Sequence, residues 1–125
     1  MILDTNALSA LADGDPALKP ILTQASQVAV PVIALGEYRY GILHSRDPVR
    51  YDRWLGEYLR QFRILEIDEK TAVAYSLIRS ELRKAGTPIP SNDAWIAALG
   101  RQYSLAICSR DRHFDLVQGS NRVVW

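Results

Sequence analysis

Short runs of apolar residues alternate along the chain with longer stretches whose apolar positions recur every three or four residues. The short runs predict buried strands, and the longer stretches predict amphipathic helices. Strands that alternate with helices are typical of an α/β fold with a mainly parallel sheet. The predicted strands are 1–4, 28–30, 64–67, 105–108 and 122–125. The predicted helices are 6–12, a second ending near 26, 31–44, 48–62, 69–84 and 91–103.

Several predicted helices carry recognisable start signals. Asp47 precedes a proline, which suits an N-cap followed by the first helical position. Asp68 is the expected cap of the next helix. Ser91 and Asn92 are both candidates for the cap of the last helix, which follows two prolines that make the preceding loop rigid.

Composition narrows the class of protein only moderately. The 125 residues fit one domain spanning 1–125, and a 48% hydrophobic content is ordinary for a globular chain. The formal net charge is only +1, whereas nucleic-acid-binding proteins are usually strongly basic, so the charge does not indicate a nucleic-acid binder. No signal peptide and no membrane span is recognisable, so we expect a cytoplasmic protein. Cys108 is the single cysteine, which excludes an intrachain disulfide.

Two aspartates stand where predicted strands end. Asp4 closes the first strand, and Asp111 follows the strand 105–108 after two residues. In open α/β sheets, ligands bind in the crevice at the carboxyl ends of the strands, so both carboxylates are candidates for a ligand site. Asp4 is also placed to cap the helix that follows it, which would be a purely structural role.

Two further acids lie on predicted helices. Glu37 shares a stripe with Ile33, Tyr40 and His44, which we expect to face the core. A buried, unpaired carboxylate is costly, so it should be neutralised or hold a cation. The alternative is a glutamate at the edge of the stripe that reaches water or a neighbouring arginine. Asp93 falls in the first turn of its helix, where the helix dipole by itself favours an acid.

The four acids together suggest one metal site. A parallel sheet can bring two strand ends and two helix faces to one edge, where four carboxylates would repel each other unless cations lay among them. Oxygen ligands favour Mg²⁺ or Mn²⁺ over Zn²⁺, and we interpret His44 and His113 as isolated residues outside the site. Such a cluster is suited to phosphoryl transfer, because the metal lowers the pKa of bound water and stabilises the attacking and leaving oxygens.

Four stretches of the chain resemble those of a known family. They are residues 1–6 (MILDTN), 36–42 (GEYRYGI), 90–98 (PSNDAWIAA) and 108–114 (CSRDRHF). In order and spacing the chain resembles the PIN-domain ribonucleases, and in particular the VapC-like toxins of bacterial type II toxin–antitoxin modules. The resemblance covers nearly the whole chain. It implies a PIN-like fold, with a central, mainly parallel sheet flanked by helices on both sides.

The resemblance also implies roles for individual residues. Asp4 would be the central ligand of Mg²⁺ or Mn²⁺, and Asp93 and Asp111 would complete metal binding directly or through water. Glu37 would hold a second metal or orient the attacking water. Metal-activated water would hydrolyse an RNA phosphodiester and leave a 5′-phosphate and a 3′-hydroxyl. Small polar residues would steady the acids by hydrogen bonds; they are Thr5, Asn6 and Ser109.

The partners implied by the resemblance are an RNA substrate, a cognate antitoxin protein that holds the enzyme inactive, and a second copy of the chain in a homodimer. DNA would be bound only through the antitoxin, and no membrane is involved. The near-neutral charge leaves the RNA-binding face unidentified. Candidates are the arginines nearest to the site residues in sequence, namely Arg39, Arg46, Arg110 and Arg112.

Two other interpretations stay open at this point. One is a non-catalytic PIN-like scaffold that binds RNA, although retention of all four acids favours activity. The other is a phosphatase-like or receiver-like domain with Asp4 as phospho-acceptor. The phosphatase motif needs a second aspartate where this chain has Asn6, and a receiver needs a lysine near the end, whereas none lies beyond Lys84.

Overall fold

A computed structural model describes all residues from 1 to 125. Five short strands form one sheet in the order β3-β2-β1-β4-β5, and every neighbouring pair is parallel. The predicted α/β class is therefore confirmed, and the sheet is entirely rather than mainly parallel. The strands are β1 (Ile2–Leu3), β2 (Ala29–Pro31), β3 (Arg63–Leu65), β4 (Ile107–Cys108) and β5 (Arg122–Val123).

Six α-helices flank the sheet, and each corresponds to a predicted helix. They are α1 (Thr5–Ala12), α2 (Leu18–Gln24), α3 (Val32–Leu43), α4 (Pro48–Tyr58), α5 (Glu69–Lys84) and α6 (Ser91–Tyr103). The largest difference from prediction is at the end of α4, which was expected to reach residue 62. Residues 59–61 instead form a 3-10 turn, closed by the Phe62 amide donating to the Leu59 carbonyl at 3.3 Å, as the chain turns into β3.

The helix starts test the predicted caps. The Asp47 carboxylate accepts from the Arg50 amide at 3.2 Å, and Asp68 forms a capping box with Thr71, so both predicted caps are confirmed. Neither Ser91 nor Asn92 caps α6, because both are already helical and the helix begins directly after a proline. Since the Asn92 side chain does not cap α6, it is free to contact another helix.

The strand order creates a crevice beside β1. The helices α1–α4 pack against one another, and α5 packs against α6. The chain first moves outward from β1 to β3 and then returns to β4, so right-handed crossovers are expected to place these two groups of helices over opposite faces of the sheet. The direction of winding changes between β1 and β4, which is where ligands bind in open α/β sheets. Leu3 is in register with Cys108, so the residues that follow these two strands emerge side by side.

A core of 25 buried apolar residues fills the space between sheet and helices. At Gly100 on α6 the backbone approaches β4 so closely that an added Cβ would lie 3.2 Å from both the Leu105 carbonyl oxygen and the Ile107 side chain. Glycine therefore lets the C-terminal part of α6 pack closely against the sheet. None of the helices combines the length and continuous apolar character needed to cross a lipid bilayer.

Candidate active site

Asp4 lies at the carboxyl end of β1 and is only 5% exposed. One carboxylate oxygen accepts from the Ala7 amide at 2.8 Å and caps α1, while the other accepts from the Ser109 hydroxyl. The Asp4 side chain therefore caps α1, as the sequence suggested, and also lies in the crevice.

Ser109 connects two of the acids. It is fully buried, its hydroxyl donates to Asp4, and the Asp111 amide donates to the same hydroxyl oxygen at 2.9 Å. Burial raises the pKa of Asp4, and the nearby charges of Asp93 and Asp111 add to this, whereas the bonds from Ser109 and Ala7 act in the opposite direction. The ionised form of Asp4 is therefore penalised in the metal-free protein, which is the environment expected of a carboxylate that holds a cation.

Asp93 and Asp111 meet at the imidazole of His113. The His113 Nδ1 atom lies 2.9 Å from Asp93 Oδ2 and 2.9 Å from Asp111 Oδ1. Potential ligand atoms of these three residues all lie within 4.8 Å of one another. Burial raises the pKa of Asp93, and hydrogen bonding to Asp93 is the main cause that raises the pKa of His113. The imidazolium form is thus favoured as a positive charge between the two acids.

The interpretation of His113 as an isolated residue was therefore wrong. It stands two positions after Asp111 in a 3-10 turn, Arg112–Leu116, where its own amide also donates to Asp111 Oδ1 at 2.9 Å. That short spacing was the available signal, but a strand-end loop has no fixed period from which side-chain direction can be deduced.

The expected core-facing stripe on α3 was also wrong. Glu37 is exposed, and the buried face of α3 is formed instead by Ala34, Tyr38 and Ile42. Glu37 lies at the edge of that face, where the Asn92 side-chain amide donates to Glu37 Oε1 at 3.1 Å. Burial therefore gives no reason to assign the Glu37 carboxylate to a cation, and the bond to Asn92 places Glu37 beside the first turn of α6.

The other two predicted supporting residues differ from Ser109. The Thr5 hydroxyl is buried without a hydrogen-bond partner, and Asn6 is exposed on the first turn of α1. The contact between Asn92 and Glu37 was not predicted from the sequence, because it joins residues of two helices that are 55 positions apart.

The donor set fits a divalent metal. The aspartates Asp4, Asp93 and Asp111 converge from β1, α6 and the loop after β4, and Asp4 and Asp93 both have raised pKa values in the absence of a cation. An ion bound among them would favour their ionised forms and would compete with the His113 proton. Carboxylate oxygens are the ligands preferred by hard divalent cations.

The sequence matches the model of the PIN domain over residues 1–119. The chain belongs to the PIN-domain family. The resemblance inferred from the four stretches of sequence is thereby confirmed, and the phosphatase and receiver interpretations are set aside.

Known relatives agree with this placement. Ribonuclease VapC4 of Mycobacterium tuberculosis is 38% identical over 87 residues, which cover 68% of this chain and 67% of that protein. Toxin FitB of Neisseria gonorrhoeae is 31% identical over 121 residues, covering 89% and 87%. The crystal structure of VapBC2 from Rickettsia felis bound to a promoter DNA fragment contains a chain with a TM-score of 0.88 and 22% identity, covering 99% of this chain and 97% of that one, which shows the shared fold.

The four candidate arginines of this PIN domain lie in different surroundings. Arg39 pairs with Asp52 on α4 at 3.6 Å, and Arg46 is exposed in the turn between α3 and α4. Arg110 packs over the Trp125 ring at 4.6 Å, and its neighbour Arg112 is exposed. Only these last two adjoin Asp111 in the loop of the crevice. A role in RNA binding remains a prediction for all four.

Proposed function

We propose that this PIN-domain protein is a metal-dependent endoribonuclease and the toxin of a toxin–antitoxin pair. The observation that carries the proposal is the buried carboxylate of Asp4, which Ser109 links to Asp111 at the point where the winding of the sheet reverses. The charge of Asp93 on α6 lies near enough to raise the pKa of Asp4, and the Asn92 side chain on the same helix donates to Glu37 of α3. The names of its relatives, ribonuclease VapC4 and toxin FitB, support cleavage of RNA and a toxin's role.

Each acid has a distinct task in this proposal. Asp4, Asp93 and Asp111 hold Mg²⁺ or Mn²⁺, which when bound supplies an acidified water and stabilises charge on the phosphate oxygens. Ser109 orients Asp4 and favours its ionised form, since its hydrogen bond opposes the rise in the pKa of Asp4 that burial causes. Glu37, exposed and held by Asn92, orients the attacking water or supports a second ion. The reaction is hydrolysis of an RNA phosphodiester.

The test is cleavage of purified RNA with Mg²⁺ or Mn²⁺, with and without EDTA. We expect EDTA to abolish cleavage and Asp4→Asn to reduce it to the level seen in EDTA. Asparagine also serves as an N-cap, so the variant should stay folded, which circular dichroism checks. Asp52→Asn makes the same chemical change at an exposed position on α4 and should cleave like the wild type.

Full activity of Asp4→Asn, or cleavage in the presence of EDTA, would contradict a metal mechanism at this site. Equal loss of activity in Asp52→Asn would show that the effect is not specific to the crevice. A folded wild-type protein that cleaves no RNA with either metal would favour the non-catalytic scaffold instead.

The proposed protein partners are a cognate antitoxin and a second copy of the chain. An exposed apolar patch supports a protein contact at the junction of α3 and α4, where the exposed fractions of Leu43 and Val49 are 74% and 69%. Expression without a partner should arrest growth. Co-expression with the product of an adjacent short reading frame should relieve the arrest and yield a co-purifying complex. Contact with DNA through the antitoxin, and a cytoplasmic location, remain predictions.

A further inference from the structure

Residues 109–115, called the Asp111 loop below, follow β4 and carry three side chains that meet in the crevice, those of Ser109, Asp111 and His113. The only regular structure here is the 3-10 turn that begins at Arg112. The amides of Asp111 and His113 donate to side-chain oxygens, Ser109 Oγ and Asp111 Oδ1, both at 2.9 Å. The sheet therefore does not fix the position of Asp111 directly, and contacts made by side chains have to do so.

Arg122 on β5 contacts the Asp111 loop on both sides of Asp111. Its Nε and Nη2 atoms each donate to one carboxylate oxygen of Asp115 at 2.8 Å. Its Nη1 atom donates to the Ser109 carbonyl oxygen at 3.3 Å. All three nitrogen atoms of one rigid, planar guanidinium group thus bind the loop, which fixes the distance between its two ends.

Arg122 can hold the loop because the sheet holds Arg122. It is in register with Ile107 of β4, and the carbonyl of its neighbour Val123 accepts from the Ser109 amide at 3.0 Å. The Arg122 side chain is only 14% exposed. Exposed single ion pairs contribute little, but a bidentate pair formed by a mostly buried arginine keeps a defined geometry.

The charges around Arg122 agree with this arrangement. The hydrogen bonds between Arg122 and Asp115 are the main cause that lowers the pKa of Asp115 and raises the pKa of Arg122, so both groups stay charged. The charge of Asp111 also raises the pKa of Arg122, so the guanidinium lies within electrostatic reach of this acid. Because Arg122 occupies both carboxylate oxygens of Asp115, it keeps this further acid out of the cluster.

We infer that Arg122 is a positioning residue of the metal site: by binding Ser109 and Asp115 at once, it keeps the Asp111 carboxylate where a divalent ion can bind it. The inference rests on the proposed function, because it concerns the metal assigned to the aspartates. Arg122 donates to none of these metal-binding carboxylates and acts only through the loop. Groups that orient metal ligands from outside the coordination shell typically change metal affinity by roughly 10- to 100-fold.

Positioning and charge predict opposite results when Arg122 is replaced by glutamine. Removing a positive charge from the neighbourhood of a cation should by itself strengthen cation binding, because a repulsion is lost. Releasing the loop should weaken cation binding, because Asp111 is no longer held in place. Weaker binding by Arg122→Gln therefore cannot result from the lost charge.

Arg101→Gln is the matched control. Arg101 also donates through two nitrogen atoms to one carboxylate, that of Glu81, at 3.2 and 3.0 Å. It also donates to a backbone carbonyl, that of Gln118, at 3.0 Å. Arg101 lies in the last turn of α6, whereas Asp93 lies in the first turn. The control thus removes the same kind of contact at the far end of the helix.

The first measurement is the affinity of metal-free protein for Mn²⁺, followed by the electron paramagnetic resonance signal of free Mn²⁺. Arg122→Gln should bind Mn²⁺ about tenfold more weakly than the wild type, and Arg101→Gln should bind like the wild type. Asp115→Asn breaks the same pair from the other side and should also weaken binding, which decides the question if Arg122→Gln does not fold. The double variant Arg122→Gln/Asp115→Asn restores the net charge and should stay about as weak as Arg122→Gln, because the two residues act as a unit.

Hydrogen exchange in metal-free protein measures the hold on the loop without any activity assay. The amides of Asp111 and His113 should exchange about tenfold faster in Arg122→Gln than in the wild type. Arg122→Lys should show the same increase, because lysine keeps the charge but lacks the planar fork. The amides of α5 should be unaffected in both variants.

Mn²⁺ affinity in Arg122→Gln equal to or higher than that of the wild type would overturn the inference while leaving the proposed function intact. An equal loss in Arg101→Gln would overturn it too, because the effect would then be a general one on stability. Recovery of wild-type affinity in the double variant would assign the effect to charge instead. A wild type that binds Mn²⁺ but cleaves no RNA would refute the proposed function alone, and a wild type that binds no Mn²⁺ would refute both.

Discussion

Replacing Ser109 by alanine should destabilise the protein through the acids it connects. The substitution removes one buried hydroxyl and changes little else, because Ser109 lies just after β4 and its backbone amide stays bonded to Val123. Two hydrogen bonds are lost. One is the bond donated to the Asp4 carboxylate, and the other is accepted from the Asp111 amide at 2.9 Å.

The expected loss follows from these two bonds. A hydrogen bond to an ionised group contributes about 1.5–3 kcal/mol, and a neutral one contributes about 1 kcal/mol, which gives a sum of about 2.5–4 kcal/mol. Asp4 can avoid part of this cost by taking up a proton, since burial already raises its pKa. We therefore expect the free energy of unfolding at pH 7 to fall by about 2–3 kcal/mol in metal-free protein.

Urea unfolding in EDTA measures this loss. With an m value of about 2 kcal/mol/M, the midpoint of Ser109→Ala should lie about 1–1.5 M below that of the wild type. Ser76→Ala is the control, because the Ser76 hydroxyl donates to the Val73 carbonyl at 2.8 Å on the exposed side of α5. Its unfolding free energy should stay within about 0.5 kcal/mol of the wild-type value.

The pH dependence provides a second test with a defined sign. The pKa of Asp4 in the folded state lies above its ordinary value. Between these two pKa values the folded state binds more protons than the unfolded state, so the free energy of unfolding falls as the pH rises through that range. Ser109 lowers that folded pKa, and alanine would raise it further. The difference in unfolding free energy between the wild type and Ser109→Ala should therefore be largest at high pH. It should become smaller as the pH falls through the pKa of Asp4 in the variant. A midpoint equal to that of the wild type, or a gap that widens on acidification, would refute the reasoning.

Two further substitutions test the packing and capping that support the site. Gly100→Ala should be less stable than the wild type by about 1 kcal/mol or more, because the new Cβ would lie 3.2 Å from the Leu105 carbonyl oxygen, whereas Gly56→Ala meets open space and should gain about 0.5–1 kcal/mol. Urea unfolding compares the two, and the opposite order would contradict the close approach of α6 to β4. Asp68→Ala should lower the free energy of unfolding by about 1 kcal/mol, because the capping box with Thr71 is lost. Thermal unfolding followed by circular dichroism checks this, and an unchanged melting temperature would show that the cap contributes nothing.

The order of elements and the two strand-end acids could be predicted from the sequence because both depend on local signals. Short apolar runs separated by helical periods specify a parallel sheet, and the carboxyl ends of its strands meet at one edge. Asp4 and Asp111 follow directly from that rule. The caps at Asp47 and Asp68 are equally local, since each requires only a side chain and a backbone amide three positions later.

The helix faces could not be assigned in the same way. On α3, Glu37 and Tyr38 lie on two adjacent faces of the helix. The periodicity of the sequence does not show which of these faces is turned toward the core. The packing of α3 against α1 and α4 decides this, and it buries Tyr38 and leaves Glu37 exposed. The prediction that Glu37 belongs with the aspartates therefore rested partly on a reason that the structure contradicts.

The sequence by itself determined the class of fold and the family, and it supplied the four acids as candidates for a metal site, because these inferences depend on residue type, period and spacing. Only the tertiary structure decided that Ser109 links Asp4 to Asp111 and that His113 stands between Asp93 and Asp111. The Asp4–Ser109 contact joins residues 105 positions apart. Contacts over such separations arise from the register of strands and the packing of helices, which no local pattern encodes.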